Sequence, residues 1–289
     1  MKVTVAEHAG FCFGVQRAVE MVYKAAEKKG QQVYTMGPVV HNEQVIEDLE
    51  KKGVRIIDDS LLDAVTHEAV EKDAVIIIRA HGISEELHKK LEVSGAKIVD
   101  ATCPFVGKIH RIVREEYKEG NAIVIVGNPD HPEVQGIRGW VGGPCTVVEN
   151  ASDARNLALP KEKPITIVSQ TTFNSSKFLE IVEIIQSLGY HVRVKNTICN
   201  ATCERQTEAL DLAKQSDVMI VIGGRQSSNT QKLFDICRSQ CKNTYYIQTQ
   251  EDLVHVDFQS DSCVGITAGA STPNTIIQEV SQHVRGTKF

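Results

Sequence analysis

Three of the eight cysteines in this chain stand where a strand-like run gives way to a helical pattern. They are Cys12, Cys103 and Cys199. A thiol in that position lies close to a helix N-terminus, where the helix dipole and the unpaired backbone N–H groups favour the thiolate. Thiolates are ligands for zinc, copper(I) and iron–sulfur clusters. The sequence therefore predicts three metal-binding thiolates, and it assigns no role to Cys145, Cys203, Cys237, Cys241 or Cys263.

Two polar turns follow each of the three cysteines at nearly constant distances. The first turn begins 28 or 29 residues further on, and the three copies contain His41, then His131 and Glu133, then Ser227, Ser228 and Asn229. The second lies 68 to 72 residues further on and contains His81, Thr171 or Ser271. Three parallel series of this kind indicate an internal repeat. Packing alone could preserve a repeat, but it would not place polar residues after every strand.

The segments between these residues predict the elements that position them. Short strand-like runs predict nine strands, which are Val3–Val5, Val33–Met36, Val75–Ile78, Ile98–Val99, Ile123–Val126, Ile165–Val168, Val192–Val194, Met219–Ile222 and Val264–Thr267. Apolar residues at helical spacing predict an amphipathic helix after each cysteine. The first helix is expected to end near residues 28–30, the second to run from Pro104 to near Gly120, and the third to include Ala209, Leu210 and Ala213.

Alternating strands and helices predict parallel α/β units, in which ligands bind beyond the carboxyl ends of the strands. The cysteines and the polar turns fall at those ends. We therefore predict an α/β protein with three similar domains, residues 1–100, 101–196 and 197–289, arranged about a pseudo-threefold axis. Each domain would contribute one thiolate and two polar turns to a common centre.

Composition excludes several classes of protein. Of the 289 residues, 42% are hydrophobic and 24% are charged, which suits a chain with a large buried core. The formal net charge of −5 gives no electrostatic support for binding nucleic acid or an anionic membrane. The longest apolar runs fall far short of the ~20 residues that a membrane-spanning helix needs. The N-terminus does not resemble a signal peptide, so we expect a cytoplasmic protein.

Three ligands from three separate repeats would leave one coordination position open. With zinc, such a site resembles a catalytic centre, whereas in a 4Fe–4S cluster one iron would lack a cysteine and could bind substrate. The polar turns and the helix N-termini beside them suit an anion. Neither a Walker A loop nor a G-x-G-x-x-G motif follows a strand, so the residues favour a small phosphorylated molecule over a nucleotide.

Nine short motifs then resemble the 4-hydroxy-3-methylbut-2-enyl diphosphate reductase family. They extend over nearly the whole chain and are GFCFGV at 10–15, VHN at 40–42, RAHG at 79–82, DATCP at 100–104, GNPDHPE at 127–133, SQTT at 169–172, TICNAT at 197–202, SSN at 227–229 and AGASTP at 268–273. The resemblance implies a trefoil of three α/β domains around a 4Fe–4S cluster held by Cys12, Cys103 and Cys199. It also implies that the fourth iron binds the hydroxyl of the substrate.

The same resemblance implies the roles of the polar residues. The diphosphate would be bound by His41, His81, His131, Thr171, Ser227, Ser228, Asn229 and Ser271. Glu133 would supply protons, with Thr171 and His131 completing the relay. The reaction would be reductive removal of an allylic hydroxyl, which yields isopentenyl and dimethylallyl diphosphates. Because the chain has no flavin or NAD(P) motif, the electrons would come from an external carrier, a ferredoxin or a flavodoxin.

Two other classes of function remain open at this point. The three thiolates could bind zinc in a hydrolase or lyase that uses Glu133 as its base. Alternatively, an iron–sulfur cluster could serve a sensor without catalytic activity, in which the polar turns bind a regulator.

Overall fold

The computed structural model of the chain describes residues 1–28, 30–58, 74–254, 256 and 258–286. It is an α/β structure in which the described strands form three four-stranded parallel sheets. The predicted α/β class is therefore confirmed. Among the described residues, the helices all lack the combination of length and apolar composition that crossing a membrane requires.

The three sheets are built from twelve described strands, which are numbered β1–β12 along the chain. The first sheet has the order β3-β2-β4-β5, with β2 at Val33–Met36, β3 at Val54–Ile57, β4 at Val75–Ile78 and β5 at Lys97–Asp100. The second has the order β7-β6-β8-β9, with β6 at Ala122–Val126, β7 at Thr146–Val148, β8 at Ile165–Ser169 and β9 at Val192–Val194. The third has the order β1-β12-β10-β11, with β1 at Lys2–Val5, β10 at Val218–Ile222, β11 at Thr244–Ile247 and β12 at Cys263–Ala268.

The described helices α1–α10 are likewise numbered along the chain. They are α1 at Phe13–Ala26, α2 at Glu43–Lys51, α3 at Glu85–Val93, α4 at Pro104–Lys118, α5 at Pro132–Trp140, α6 at Ala151–Arg155, α7 at Ser175–Ser187, α8 at Asn200–Lys214, α9 at Ser228–Gln240 and α10 at Asn274–Gly286. The three helices predicted after the cysteines are α1, α4 and α8. The first ends at Ala26, a little before its expected end; Lys29, which belongs to that expected end, lies outside the described residues.

All nine predicted strands are present, and for the inner strands burial explains why they could be recognised. The strands β4, β6, β8 and β10 lie inside their sheets and are buried along almost their entire length. A parallel strand that is covered on both faces has a continuous apolar sequence. The sequence analysis did not predict β3, β7 and β11, which are edge strands of three or four residues.

The strand before each cysteine completes the sheet of the preceding repeat. Strand β5 pairs with β4, β9 pairs with β8, and the N-terminal strand β1 pairs with β12 from the end of the chain.

By their contacts the residues fall into two compact units: 1–16, 40–46 and 200–289 form one, and 17–39 with 47–199 form the other. The division into three domains at residues 100 and 196 stays a prediction.

A buried carboxylate on helix α4 links this helix to the second sheet. Glu116 of α4 accepts hydrogen bonds from Thr166 Oγ1 at 2.8 Å and Asn121 Nδ2 at 2.7 Å, and Lys195 Nζ lies 3.2 Å from it. Burial alone would raise the pKa of Glu116, but the bonds from Thr166, Lys195 and Asn121 outweigh it and hold the pKa below its ordinary value. Glu116 is therefore ionised in the folded protein at neutral pH.

We expect Glu116→Gln to lower the free energy of unfolding at pH 7 by about 1–3 kcal/mol, because Gln cannot satisfy all these donors. A folded-state pKa below that of the unfolded chain stabilises the fold above the unfolded pKa, and this stabilisation is lost as the pH falls through the folded value. The difference between wild type and variant should therefore shrink in acid. Urea unfolding from pH 7 to pH 3 measures it, with the exposed Glu115→Gln as control. A difference that is constant over this range would contradict the role of the ionised form.

Candidate active site

The three cysteines singled out by the sequence lie at the N-termini of helices. Cys12 immediately precedes α1, Cys103 is the N-cap of α4, and Cys199 immediately precedes α8. All three are half-buried, and all eight cysteines of the chain are reduced thiols. The thiols thus lie beside the positive ends of helix dipoles, which suits a negatively charged metal–thiolate group.

A backbone hydrogen bond attaches each of these cysteines to a sheet. The acceptor is the carbonyl oxygen of the second residue after an inner strand. The N–H of Cys103 donates to Ala80 at 2.9 Å, that of Cys199 to Thr171 at 3.1 Å and that of Cys12 to Ala270 at 3.4 Å. The same bond thus occurs after β4, β8 and β12, so the internal repeat is present in the backbone as well as in the sequence.

The turns after these strands also share one backbone pattern. Each is closed by an N–H that donates to the carbonyl three residues earlier, from Gly82 to Arg79 at 3.0 Å, Phe173 to Gln170 at 3.1 Å and Thr272 to Gly269 at 3.0 Å. By this pattern His81 and Ser271 correspond to Thr172. The sequence analysis grouped them with Thr171, which corresponds instead to Ala80 and Ala270. The predicted grouping is therefore out by one residue in the second repeat.

The first polar turns also begin at matching positions. Gly37, Gly127 and Gly223 each donate their N–H to the last residue of the neighbouring edge strand, at 2.7, 3.0 and 2.9 Å. Four residues later come His41, His131 and Ser227. His131 and Ser227 are the N-caps of α5 and α9, whereas in the first repeat the side chain of Asn42 bonds to the N–H of Val45 at 3.1 Å, at the start of α2.

Glu133 is the most strongly perturbed acid of the candidate site. Its side chain is fully enclosed, and its two carboxylate oxygens accept hydrogen bonds from Thr171, one from the backbone N–H at 2.6 Å and one from Oγ1 at 2.7 Å. Burial raises the pKa of Glu133 to about 7, although the two bonds from Thr171 act in the opposite direction. A carboxyl group of this pKa can hold a proton near neutral pH and release it.

His131 is oriented by the same helix turn. Its Nδ1 accepts the N–H of Glu133 at 3.1 Å, so in the neutral ring the proton is on Nε2. The ring of His81 lies edge-on to it, with 5.4 Å between ring centroids. Thus the structure brings Glu133, Thr171, His131 and His81 together in the unit that also contains Cys103 and Cys199.

The other compact unit contains Cys12 and the remaining polar residues proposed for the substrate. Ser227 Oγ accepts hydrogen bonds from the N–H of Thr230 at 3.2 Å and from Thr230 Oγ1 at 2.9 Å. Ser271 Oγ donates to the carbonyl of His41 at 2.9 Å. Asn229 is only 4% exposed, yet neither atom of its amide group has a hydrogen-bond partner among the described residues. A buried amide without partners costs about 1–3 kcal/mol, so the side chain suits a polar ligand.

The sequence analysis missed Arg205, which positions the loop before Cys12. Its guanidinium is 3% exposed and donates to the carbonyls of His8 at 2.8 Å and Gly10 at 2.9 Å. Gly10 has a φ of +98°, and a Cβ there would lie 3.3 Å from the carbonyl oxygen of Thr272. One signal was present in the sequence, because Arg205 precedes Ala209 and Ala213 at helical spacing on the buried face of α8.

Comparisons with known proteins identify the family of this chain. A family model described as LytB protein matches residues 3–285. The chain is 46% identical to the 4-hydroxy-3-methylbut-2-enyl diphosphate reductase of Caldanaerobacter subterraneus subsp. tengcongensis over 100% of this chain and 98% of the relative. It is 44% identical to the enzyme of the same name from a Thermoanaerobacter species, over 99% of this chain and 97% of the relative.

Two solved structures are also similar. One is of (E)-4-hydroxy-3-methyl-but-2-enyl diphosphate reductase, described as the terminal enzyme of the non-mevalonate pathway, with 39% identity, a TM-score of 0.70, and coverage of 99% of this chain and 100% of that one. The other is the E-1-hydroxy-2-methyl-but-2-enyl-4-diphosphate reductase of Plasmodium falciparum, with 30% identity, a TM-score of 0.89, and coverage of 98% and 87%. With a family match over almost its whole length and full-length relatives above 40% identity, the chain belongs to the LytB protein family.

Proposed function

We propose that this chain catalyses the reductive removal of the allylic hydroxyl of 4-hydroxy-3-methylbut-2-enyl diphosphate, which yields isopentenyl and dimethylallyl diphosphates. The observation that carries the proposal is the chain of hydrogen bonds from Glu133 through Thr171 to Cys199. It connects a buried acid with a pKa of about 7 to a thiol at a helix N-terminus. The relatives of the chain carry the name of this reductase.

The three cysteines Cys12, Cys103 and Cys199 would hold the 4Fe–4S cluster. Their chemistry fits it, since each is a reduced, half-buried thiol at a helix N-terminus, and iron–sulfur clusters are bound by thiolates. When bound, such a cluster supplies single electrons and, with three protein ligands, an iron that acts as a Lewis acid on the hydroxyl oxygen. Four cysteine ligands would leave no such position.

The diphosphate would be bound by neutral hydrogen-bond donors and by histidines. The proposed set is His41, His81, His131, Thr171, Ser227, Ser228, Asn229 and Ser271. The partnerless amide of Asn229 supports this assignment, because a phosphate oxygen would accept from its Nδ2. The helices α5 and α9 begin at two of the polar turns, and their N-termini favour negative charge there.

Removing the hydroxyl as water while leaving a C–H bond consumes two electrons and two protons. Glu133 would protonate the departing oxygen, since burial keeps its proton in place near pH 7. Thr171 Oγ1 holds the carboxyl group in place, and His131 completes the relay with its Nε2 proton. The allyl fragment that remains can take its proton at either end, which accounts for two products.

The electrons would come from an external ferredoxin or flavodoxin, because the sequence has no flavin or NAD(P) motif. We place the protein in the cytoplasm. Eight reduced cysteines suit that reducing compartment, where disulfides rarely persist.

The iron content of the purified protein separates this proposal from a zinc hydrolase or a sensor. Protein purified without oxygen should contain ~4 iron atoms per chain and turn over the substrate with a strong reductant. Stoichiometric zinc in place of iron would favour the hydrolase or lyase, and a loaded cluster without turnover would favour the sensor. Metal analysis together with a product assay decides among the three.

We expect Cys12→Ser, Cys103→Ser and Cys199→Ser each to lose most of the bound iron and activity, because a hydroxyl is a poor substitute for a thiolate ligand. Cys145→Ser and Cys263→Ser are matched controls, since both thiols are also half-buried. Iron per chain after anaerobic reconstitution measures the effect. Equal losses in both groups would contradict the ligand assignment.

We expect Glu133→Gln to reduce turnover by about 10²-fold or more while substrate binding changes little, since Gln keeps the shape but has no acidic proton. The wild-type rate should fall as the pH rises through about 7, because the protonated form is then lost. The variant should lack this dependence. A pH series of kcat measures both, with the exposed Glu162→Gln as control; a variant with the wild-type profile would remove Glu133 from proton transfer.

A further inference from the structure

Cys103 lies in the wall of a recess that opens to solvent. The recess has a volume of about 240 Å³ and is bordered by the first turns of α4 and by Trp140 at the end of α5. Thr102, Cys103 and Gly107 line it as well. A proposed cluster ligand is therefore separated from solvent by little protein at this place.

The aromatic wall of the recess is held rigidly. Trp140 Nε1 donates to the carbonyl of Ile83 at 2.8 Å, and its ring stacks on His110 with 5.2 Å between centroids and an angle of 14°. The guanidinium of Arg114 lies 5.7 Å from the Trp140 ring centroid, and Arg114 also pairs with Glu85 at 2.9 Å. A rigid wall requires little ordering when a partner binds.

Positively charged side chains lie in the wall of the recess and beside it. Lys108 and Arg111 are exposed on α4, and Arg17 donates to the carbonyl of Thr102, the residue before Cys103, at 3.1 Å. In the described part of the chain, none of these three cations forms an ion pair with a carboxylate. Asp100, an acid that also lines the recess, lies 4.0 Å from His88 Nε2. A local excess of positive charge thus occurs on a protein whose formal net charge is −5.

An exposed aromatic side chain lies among these cations. Phe105, two residues after Cys103, is 46% exposed although the surrounding face of α4 is polar. We call Arg17, Phe105, Lys108, Arg111 and Trp140 the Cys103 surface. An apolar centre with charged residues around it is typical of a protein interface, and a basic rim attracts an acidic partner and increases its rate of association.

From this arrangement we propose that the Cys103 surface docks an acidic ferredoxin that delivers the electrons for catalysis. The inference rests on the function proposed above. Each docking oxidises one reduced ferredoxin by one electron, which enters the protein on the Cys103 side. Two dockings supply the two electrons of one turnover, and with two protons they convert the allylic alcohol into an alkene and water.

The test compares two electron sources in the holoenzyme carrying K108E/R111E. We expect kcat/KM for reduced ferredoxin to fall at least tenfold and the Kd of ferredoxin to rise similarly. Turnover driven by dithionite and iron per chain should stay within twofold of wild type. The matched control is K177E/K242E, which changes the net charge equally at two exposed lysines elsewhere. Added salt should weaken the binding of ferredoxin to the wild-type protein more than its binding to K108E/R111E.

Several outcomes would overturn the docking site. They are wild-type ferredoxin binding in K108E/R111E, an equal loss in K177E/K242E, an equal loss of dithionite-driven turnover, and an effect seen with flavodoxin but not with ferredoxin. Failure of the proposed function is a different result, in which loaded wild-type enzyme does not convert the substrate with any reductant. The ferredoxin Kd is measured without turnover, so it tests the surface in either case.

Discussion

The hydrogen bond from the backbone N–H of each proposed cluster ligand to a sheet is the constraint on which the rest of this structure depends. Its acceptor is always the second residue after an inner parallel strand, namely Ala80, Thr171 or Ala270. Inner strands are buried on both faces and are the least mobile parts of an α/β protein. A thiol attached there inherits the rigidity of the sheet, whereas the helix that follows supplies a dipole whose positive end lies beside the sulfur. Position and reactivity thus come from the two elements that the cysteine joins.

Thr171 shows how this constraint reaches the acid. Its carbonyl accepts from Cys199, and its N–H and Oγ1 both donate to Glu133. A single residue therefore relates the proposed proton donor to the proposed cluster ligand. The two bonds also limit how far burial can raise the pKa of Glu133, since they stabilise the ionised form. A pKa of about 7 is the balance, and it lies where a group can both hold and transfer a proton at neutral pH.

The sequence was informative where local chemistry decides structure. Predominantly apolar runs predicted β4, β6, β8 and β10, because strands covered on both faces are largely apolar. The short edge strand β3 was missed, since its exposed Arg55 interrupts that pattern. The pairing of β1 with β12 joins the two ends of the chain, and periodicity carries no information about such distant partners. That Thr171 corresponds to Ala80 and Ala270, and not to His81 and Ser271, likewise emerged only from the hydrogen bonds.

The repeat gives the three sheets equivalent backbone positions, but the residue types at those positions differ. Six residues after the equivalent glycines Gly37, Gly127 and Gly223 come Glu43, Glu133 and Asn229. Of the two carboxylates, only Glu133 is buried and held by two hydrogen bonds from a threonine, and burial raises its pKa to about 7. The amide of Asn229 cannot take up a proton in this pH range and remains a neutral donor, which suits a phosphate oxygen. In the proposed function, the different residue at an equivalent position would assign proton transfer to one repeat and anion binding to another, so that a nearly symmetric backbone could serve a substrate that has no symmetry.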